Sequence, residues 1–464
     1  MNYLIYPLAF IFILGSAVVI HEFGHFIVAK LFKIRVETFS VGFGPRLFGK
    51  KWGQTDYRLS AIPLGGYVKL GGDESNAPLE GDGASDIPSN ERFDLRPRWQ
   101  RILVALAGPV MNVITALAIP LAGALMYGVP ATPAPVVSTI ASGGGAEAAG
   151  LRRGDRIISF NGMDHPKWDT IRGDALLSPG QPLPVVVERD GAQIALTITP
   201  VARTEDGETA GFLDFLPDYG SVPVIVREVT PNSPASEAGL QTGDQILAIS
   251  GQPVHSAEQV TQFISAHKGE PITLGVKRNG SQLNITATAR KLPDGKERLG
   301  FGPAEDIPFH RVGLVGSARY AVDNNLEILR LTGKALGQFF SGQRSARNTL
   351  SGPVGIYKAA GSAVERFGWA GFFTTLAFLS LNLGIFNLLP IPVLDGGAIF
   401  LLLIEAVLAT VGLKLSLRVR DRIQQVGFVM VILLMVFVIT NDLLKQASIW
   451  RGGSNPPAAA TPGK

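Results

Sequence analysis

Four long apolar stretches constrain the fold of this 464-residue chain more than any other feature of its sequence. A helix that crosses a bilayer needs about 20 consecutive apolar residues. Charged residues make up only 17% of the chain, whereas about a quarter of the residues are charged in a typical soluble protein. The stretches that meet the length requirement are residues 3–29, 102–129, 367–404 and 423–441. The sequence therefore predicts a multi-pass α-helical membrane protein with four transmembrane helices.

The first apolar stretch contains the sequence H-E-F-G-H, with His21, Glu22 and His25. Positions i and i+4 share one face of a helix, so His21 and His25 can bind one metal ion from the same side. Glu22 lies one step around the helix, where a carboxylate takes a proton from a metal-bound water rather than binding the metal. Ionisable side chains at this depth in a bilayer are costly and are functional by default. We predict a metal site here, with Glu22 as the catalytic acid/base.

A catalytic zinc site uses three protein ligands and a water, so two histidines leave one ligand missing. The best candidate is Asp395, with Glu405 as the second choice. Asp395 lies in N-L-L-P-I-P-V-L-D-G-G, residues 387–397, where Pro390 and Pro392 break the helix and two glycines allow a tight turn. Irregular backbone at membrane depth occurs only where it is buried in protein or lines a wet cavity. We therefore predict Asp395 as the third ligand. The other four histidines fall outside the apolar stretches and are expected to be ordinary surface or core side chains.

Two amides, Asn382 and Asn387, precede this aspartate in the third apolar stretch. Amide groups beside a metal could hold the substrate backbone or a developing oxyanion. The alternative is hydrogen bonding between helices, which polar residues in membranes often provide. We predict both as substrate-binding residues.

Residues 36–70 alternate or favour strand, and glycine-containing turns separate the segments. The pattern predicts a small antiparallel sheet beside the metal, whose edge could bind an extended substrate. The substrate-binding candidates in this sheet are Gly42, Phe43, Gly44, Gly65, Gly66 and Tyr67.

The region between the second and third apolar stretches contains an internal repeat. Residues 148–157 match residues 237–246, and Gly150 corresponds to Gly239, 89 positions later. A period of this length indicates a duplicated small domain rather than a solenoid. The shared run A-G-L-x-x-G-D-x-I resembles bacterial PDZ domains, which are α+β folds that bind extended peptides beside a sheet edge.

The loops predicted to bind peptide in these domains are rich in glycine, which would let the backbone approach a ligand. The alternative is that the glycines serve tight turns only. The candidates are Leu299, Gly300, Phe301 and Gly302 in the second copy, and Gly211, Phe212 and Leu213 in the first.

The predicted organisation places the repeat between transmembrane helices two and three. Lys and Arg flank residues 31–100 and are concentrated in residues 411–422, so both loops are predicted to be cytoplasmic. The segments are the first transmembrane helix 1–30, a cytoplasmic-side loop with membrane-associated β-hairpins 31–100, the second transmembrane helix 101–129, PDZ-like domains 130–218 and 219–308, an amphipathic helix and connector 309–366, the third transmembrane segment 367–410, a basic loop 411–422, the fourth transmembrane helix 423–445 and a disordered tail 446–464.

The paired motifs H-E-F-G-H and N-L-L-P-I-P-V-L-D-G, with a tandem PDZ pair between them, resemble the site-2 protease family of intramembrane zinc metalloproteases, in its bacterial RseP type. The resemblance extends from residue 1 to about residue 450. It implies that His21, His25 and Asp395 bind Zn²⁺ and that Glu22 is the catalytic acid/base. It also implies a membrane-dipping sheet that clamps the substrate.

The same resemblance implies a multi-pass protein of the bacterial inner membrane, with the PDZ domains on the periplasmic side and the metal nearer the cytoplasm. Expected partners are the lipid bilayer, peptide C-termini at the PDZ domains and single-pass transmembrane substrates. Such substrates are anti-sigma factors after a first cut and remnant signal peptides, in regulated intramembrane proteolysis during a stress response. A basic patch with interleaved aromatics is missing from the sequence, so nucleic acid is not an expected partner.

Two other function classes remain open from the residues alone. A metal transporter also uses His and Asp in broken helices, but it should carry further intramembrane carboxylates along a path. A non-catalytic membrane scaffold could present the two PDZ domains, but it gives no reason for Glu22.

Overall fold

The apolar stretches form long helices in the computed structural model, which describes residues 4–72, 87–141, 143–205, 208–220, 222–254, 256–267, 269–291, 297–343, 352–413 and 416–451. The chain divides into two units. The helical unit comprises Met1–Met126, Glu205–Glu208 and Gly313–Lys464, and the insert unit comprises Tyr127–Thr204 and Thr209–Val312.

The helical unit begins with α1 (Ile5–Leu31), β1 (Val36–Trp52), β2 (Thr55–Leu70) and α2 (Arg98–Tyr127). The elements between Tyr127 and Val312 are β3 (Val129–Pro130), β4 (Ala134–Ile140), α3 (Gly145–Ala148), β5 (Arg156–Phe160), β6 (Met163–Asp164), α4 (Trp168–Leu176), β7 (Leu183–Arg189), β8 (Ala192–Ile198), β9 (Val201–Glu205), β10 (Glu208–Phe212), β11 (Phe215–Asp218), β12 (Val224–Val229), α5 (Pro234–Glu237), β13 (Gln245–Ile249), β14 (Gln252–Pro253), α6 (Ala257–Ala266), β15 (Pro271–Arg278), β16 (Ser281–Thr288), β17 (Arg290–Lys291), β18 (Glu297–Arg298), β19 (Phe301–Glu305) and β20 (Phe309–His310). The helical unit ends with α7 (Leu314–Phe340), α8 (Pro353–Asn387), α9 (Asp395–Thr410) and α10 (Leu417–Arg451).

Among the described residues, four helices are long and apolar enough to cross a membrane, which confirms the predicted fold class. The spans are Ile5–Leu31, Arg98–Tyr127, Pro353–Asn387 and Arg422–Leu444. The third span begins earlier than the predicted residue 367, because α8 continues through a kink at Gly368. The first half of α8, which carries Lys358 and Glu365, lies within the predicted connector.

The fourth helix also exceeds its predicted bounds of 423–445. It begins at Leu417, inside the predicted basic loop, and continues to Arg451, inside the predicted tail. The rest of that tail, residues 452–464, lies outside the described residues.

The segment after α1 forms one bent hairpin, in which β1 pairs with β2 twice. Thr38 lies opposite both Asp56 and Lys69, so the strand segments predicted within residues 36–70 are parts of two long strands. Residues 66–70 form one edge of the resulting sheet, and no described strand pairs with their outer side. The hairpin contacts α1 closely, since a Cβ at Gly15 would lie 2.8 Å from the Pro63 carbonyl oxygen.

Helices α1 and α2 cross at small residues. A Cβ at Gly24 would overlap the backbone of Ala107, and one at Gly108 would overlap the rings of His21 and His25. Small residues let transmembrane backbones approach in this way. The crossing therefore places α2 directly against the histidine face of α1.

Proline in α2 creates a contact with α7. Pro120 has no N–H, so the carbonyl of Ala116, four residues earlier, is not used inside the helix. Asn325 of α7 donates its amide to that carbonyl at 3.0 Å, and Ala116 and Asn325 are both buried. The predicted amphipathic helix is thus attached to the second span by a buried hydrogen bond.

A buried carboxylate joins the third and fourth spans. Asp442 of α10 accepts hydrogen bonds from the backbone N–H groups of Gly352, Val354 and Gly355, at 3.1, 3.0 and 3.4 Å. These groups belong to the free N-terminal end of α8, which carries a partial positive charge. Asp442, a residue of α10, therefore caps the N-terminus of α8.

The insert unit contains two copies of one fold, as the repeat predicts. The sheet orders are β11-β4-β5-β7-β8 and β19-β12-β13-β15-β16, so equivalent strands occupy equivalent places. Each copy encloses its own apolar core and has the topology of a PDZ domain.

Both copies share one ion pair at the Gly-Asp turn. Arg189 donates two hydrogen bonds of 2.7 Å to Asp155, and Arg278 donates two of 2.6 Å to Asp244. Burial disfavours the charged carboxylate, but the guanidinium and a backbone N–H outweigh this effect and hold the pKa of Asp155 and of Asp244 below the ordinary value. The repeated pair therefore fixes the turn in each copy.

Candidate metal centre

Three side chains from distant parts of the chain converge inside the helical unit. One donor atom each of His21, His25 and Asp395 lies within 4.8 Å of the other two. His21 Nε2 is 2.9 Å from one carboxylate oxygen of Asp395, His25 Nε2 is 3.5 Å from the other, and the two Nε2 atoms are 3.2 Å apart. Among the described residues this is the one group of three or more His, Asp or Glu that could hold a metal ion. Glu405, the second choice as ligand, is not part of it.

Asp395 reaches the histidines because the chain breaks between α8 and α9. Its carboxylate lies at the first residue of α9, two residues after Val393, a β-branched residue with a φ of +87°. Such a conformation is costly and tends to occur at functional sites. Gly396 and Gly397 lie against the carbonyl groups of the break, and neither has room for a Cβ. The predicted break is therefore present, and it carries the aspartate.

The outer nitrogen of each imidazole has a polar partner on α2. His25 Nδ1 donates to the carbonyl of Val104 at 2.7 Å, and His21 Nδ1 lies 3.2 Å from the amide of Asn112. Both Nε2 atoms consequently face the Asp395 carboxylate. Metal-binding histidines are usually oriented through the other ring nitrogen in this way, so the residues present fit a zinc ion.

Glu22 lies next to this group without belonging to it. Its carboxylate accepts a hydrogen bond from the backbone N–H of Val68. Val68 is part of the sheet edge formed by residues 66–70, so that edge lies beside the metal centre. Glu22 is therefore adjacent to the three predicted ligands and held by the sheet edge.

The sequence matches peptidase family M50 over residues 9–434. The chain belongs to peptidase family M50. It is 34% identical over 454 residues to the regulator of sigma-E protease RseP of Salmonella typhimurium, and the match covers 94% of this chain and 97% of that protein. The corresponding protease of Escherichia coli K12 is 33% identical over 455 residues, with the same coverage. A relative from Vibrio cholerae, described by its name as a zinc metalloprotease, is 32% identical over 461 residues, covering 94% and 98%.

Among solved structures, the PDZ domain of the SdrC-like protein from Listeria monocytogenes is similar to 18% of this chain at 21% identity. That match covers 90% of the domain, with a TM-score of 0.17. By its family and these relatives, the M50 chain is an intramembrane zinc metalloprotease of the site-2 protease type.

The two predicted substrate amides of this M50 chain have different surroundings. Asn387 Nδ2 lies 3.3 Å from His21 Nε2, beside the metal centre. Asn382 donates to the Phe378 carbonyl of its own helix and accepts a hydrogen bond of 3.4 Å from Thr332 of α7. The structure therefore brings Asn387 to the site and gives Asn382 the interhelical contact that was the alternative.

The predicted sheet residues lie where the hairpin bends against α1. Phe43 stacks on Tyr67, with ring centres 6.2 Å apart. A Cβ at Gly66 would overlap the Ser40 carbonyl, and one at Gly65 would press on Phe43 and Val18. The remaining two candidates, Gly42 and Gly44, have φ angles of +94° and +85°. These residues shape the bend, and their contact with substrate stays a prediction.

Sequence reasoning undervalued α2. Neither Asn112 nor Val104 is among the site residues predicted from the sequence. The available signal was the pair Gly108 and Asn112, which are four residues apart and share one helix face.

The peptide loop predicted for the first PDZ copy is displaced by two residues. Phe215 pairs with Ile140 as Phe301 pairs with Val229, and these partners are equivalent in the repeat. The loop equivalent to Leu299-Gly300-Phe301 is therefore residues 213–215 rather than 211–213. Its central position holds Asp214, whose carboxylate accepts the N–H of Ala146 at 3.0 Å.

Proposed function

We propose that this chain hydrolyses a peptide bond within the transmembrane segment of single-pass membrane proteins, with Zn²⁺ bound by His21, His25 and Asp395. The observation that carries the proposal is the convergence of these three donor atoms within 4.8 Å in a membrane-spanning unit, with Glu22 beside them. Two histidines, one carboxylate and an adjacent glutamate that does not bind the metal are the parts that a zinc hydrolase needs.

The chemistry divides between the metal and the chain. Zinc, when bound, polarises the scissile carbonyl and makes a water acidic enough to lose a proton near neutral pH. Glu22 accepts that proton and returns it to the leaving amine. The Val68 N–H holds the Glu22 carboxylate in place, and the Asn387 amide is placed to donate to the substrate carbonyl.

The sheet edge supplies a way to present the substrate. A transmembrane helix uses its carbonyls in its own hydrogen bonds, so the substrate has to unwind before it can be cut. Residues 66–70 form the outer strand of the sheet beside Glu22, and an extended substrate can add to the sheet there as a further strand. Leucine in place of helix-weakening substrate residues should therefore slow cleavage.

The relatives suggest the biological setting. The relatives of Salmonella and E. coli carry the name regulator of sigma-E protease RseP. We therefore propose two kinds of substrate for this chain: anti-sigma-factor-type proteins that have already been cut once, and remnant signal peptides. The distribution of Lys and Arg supports an inner-membrane orientation with the PDZ pair on the periplasmic side and the metal nearer the cytoplasm.

The test is Glu22→Gln in the purified full-length protein, assayed on a reporter transmembrane substrate in detergent. We expect zinc content to stay at the wild-type level while cleavage falls by about 10²–10⁴-fold, the usual contribution of an acid/base group. Glu405→Gln is the matched control and should cleave normally, because Glu405 lies outside the metal group. Normal cleavage by Glu22→Gln would refute the role of Glu22, whereas lack of cleavage by the wild type would favour a non-catalytic scaffold.

A further inference from the structure

We propose that Asn112 is a positioning residue for His21: its amide oxygen accepts the Nδ1–H of the imidazole and thereby leaves Nε2 free for the metal. The inference rests on the metal centre of the proposed function. It adds a residue of α2 that touches neither metal nor substrate but decides how one ligand is presented.

The first observation is the place of Asn112. The residue is fully buried where α2 crosses α1, and its Nδ2 atom lies 3.2 Å from His21 Nδ1. Its Oδ1 atom is also buried and has no hydrogen-bond partner in the structure. A buried polar atom without a partner is uncommon and calls for an explanation.

The second observation is chemical. An imidazole that binds a metal through Nε2 carries its proton on Nδ1, so the group facing Nδ1 must be an acceptor. The Asn112 amide can place either of its atoms there, because a half-turn about its Cβ–Cγ bond exchanges the oxygen and the nitrogen. With the oxygen facing His21, the histidine proton gains an acceptor and the amide oxygen gains a donor.

The other histidine shows the same arrangement with a different acceptor. His25 Nδ1 donates to the backbone carbonyl of Val104, also on α2. Val104 and Asn112 are eight residues apart, about two helical turns, and therefore share a face. Gly108 lies between them, where a Cβ would overlap both rings. Helix α2 thus supplies one oxygen to each histidine, a main-chain oxygen for His25 and a side-chain oxygen for His21.

Packing holds the Asn112 side chain in this place. Gly384 of α8 lies against it from the opposite side, and a Cβ there would be 3.2 Å from the Asn112 Cβ and 3.0 Å from the Pro109 carbonyl oxygen. Asn112 is therefore packed between α1, α2 and α8 without exposed surface.

The experiment measures zinc affinity directly, by competition with a chromophoric chelator on the purified full-length protein in detergent. Asn112→Leu has similar volume but no acceptor and should weaken zinc binding by about 10–100-fold, the usual effect of losing a partner of a metal-binding histidine. Asn112→Asp keeps an acceptor and should stay within about threefold of the wild type. Gly123→Ala is the control on the same helix, since a Cβ there meets no atom within 4 Å.

Two results would overturn the inference. One is wild-type zinc affinity in Asn112→Leu, and the other is equal weakening in Asn112→Leu and Asn112→Asp, which would indicate a packing role. If Asn112→Leu does not fold, as judged by its thermal unfolding without zinc, Asn112→Ala takes its place with the same expected weakening.

His21→Ala separates this inference from the proposed function. If that variant binds zinc as tightly as the wild type, the metal centre itself is wrong. If it loses zinc while Asn112→Leu keeps it, only the role of Asn112 fails.

Discussion

The contact between α7 and α2 yields a sharp prediction about stability. Asn325→Leu removes the amide that donates to the Ala116 carbonyl at 3.0 Å. Ala116 is fully buried, and Pro120 cannot donate to it, so the carbonyl would be left without a partner. A stranded buried acceptor costs about 1–3 kcal/mol, and hydrogen bonds measured between membrane helices average about 0.6 with a maximum of about 1.7 kcal/mol. We therefore expect Asn325→Leu to lower the free energy of unfolding by about 1–2 kcal/mol.

Asn325→Leu should lower the free energy of unfolding by less when Pro120 is also replaced. In Pro120→Ala the backbone regains an N–H at position 120, which can donate to Ala116 inside the helix. The cost of Asn325→Leu should then fall by about 1 kcal/mol, and a double-mutant cycle isolates this coupling from the change in helix propensity. Pro109→Ala is the matched control, because Pro109 frees a different carbonyl and should leave the cost of Asn325→Leu unchanged.

Reversible unfolding of the full-length protein in mixed micelles, followed by tryptophan fluorescence, measures the free energy of unfolding of each variant. The double-mutant cycle compares the wild type, Asn325→Leu, Pro120→Ala and the variant with both substitutions. An equal cost of Asn325→Leu in the wild-type and Pro120→Ala backgrounds would refute the reasoning, since the amide would then not be serving the carbonyl that the proline frees.

Three further predictions concern the metal centre, the fourth span and the first PDZ copy. Gly108→Ala should press on both histidine rings and reduce zinc content and cleavage, whereas Gly123→Ala on the same helix should change neither; normal zinc content in the former would contradict this. Asp442→Leu should lower the thermal midpoint in detergent by several degrees and Asp442→Asn by less, because the amide keeps one acceptor for the N–H groups it caps. The pKa of Asp155 is lowered in the folded state, so its pairing with Arg189 stabilises the fold above about pH 4 and this contribution is lost as the pH falls through the folded pKa. Arg189→Leu should therefore lower the thermal midpoint strongly at pH 7 and progressively less towards pH 3, and a deficit independent of pH would show that the pair does not act through ionisation.

Features with a local signal could be predicted from the sequence. The spacing of His21 and His25 is a helical spacing, and hydropathy identifies the helix that carries them. Asp395 follows a helix-breaking run, and such a run inside an apolar stretch needs a reason. The helical spacing and the helix-breaking run are two local and independent signals. The structure brings the three residues that they identify together.

Features that depend on how helices cross could not be predicted. The contact of Asn112 with His21 arises where Gly24 and Gly108 let two helices approach, and no single segment reveals that pairing. Asn382 resembles Asn387 in the sequence, yet their helix places one near the metal and turns the other towards α7.

Hydropathy also does not show where α8 begins. The first half of α8 carries Lys358 and Glu365, yet the helix continues through it. Glu365 accepts a hydrogen bond of 2.8 Å from Tyr6 of α1, so its charge has a partner on a neighbouring span. Hydropathy cannot show such a partner.

The most direct test of the metal centre is X-ray absorption at the zinc edge, on the full-length wild type and on Asp395→Ala. The proposed site predicts one zinc per chain, with two imidazole nitrogens at about 2.0–2.1 Å and a carboxylate oxygen at about 2.0–2.2 Å that is lost in Asp395→Ala. An identical coordination shell in the two proteins, or a shell without histidine, would contradict it.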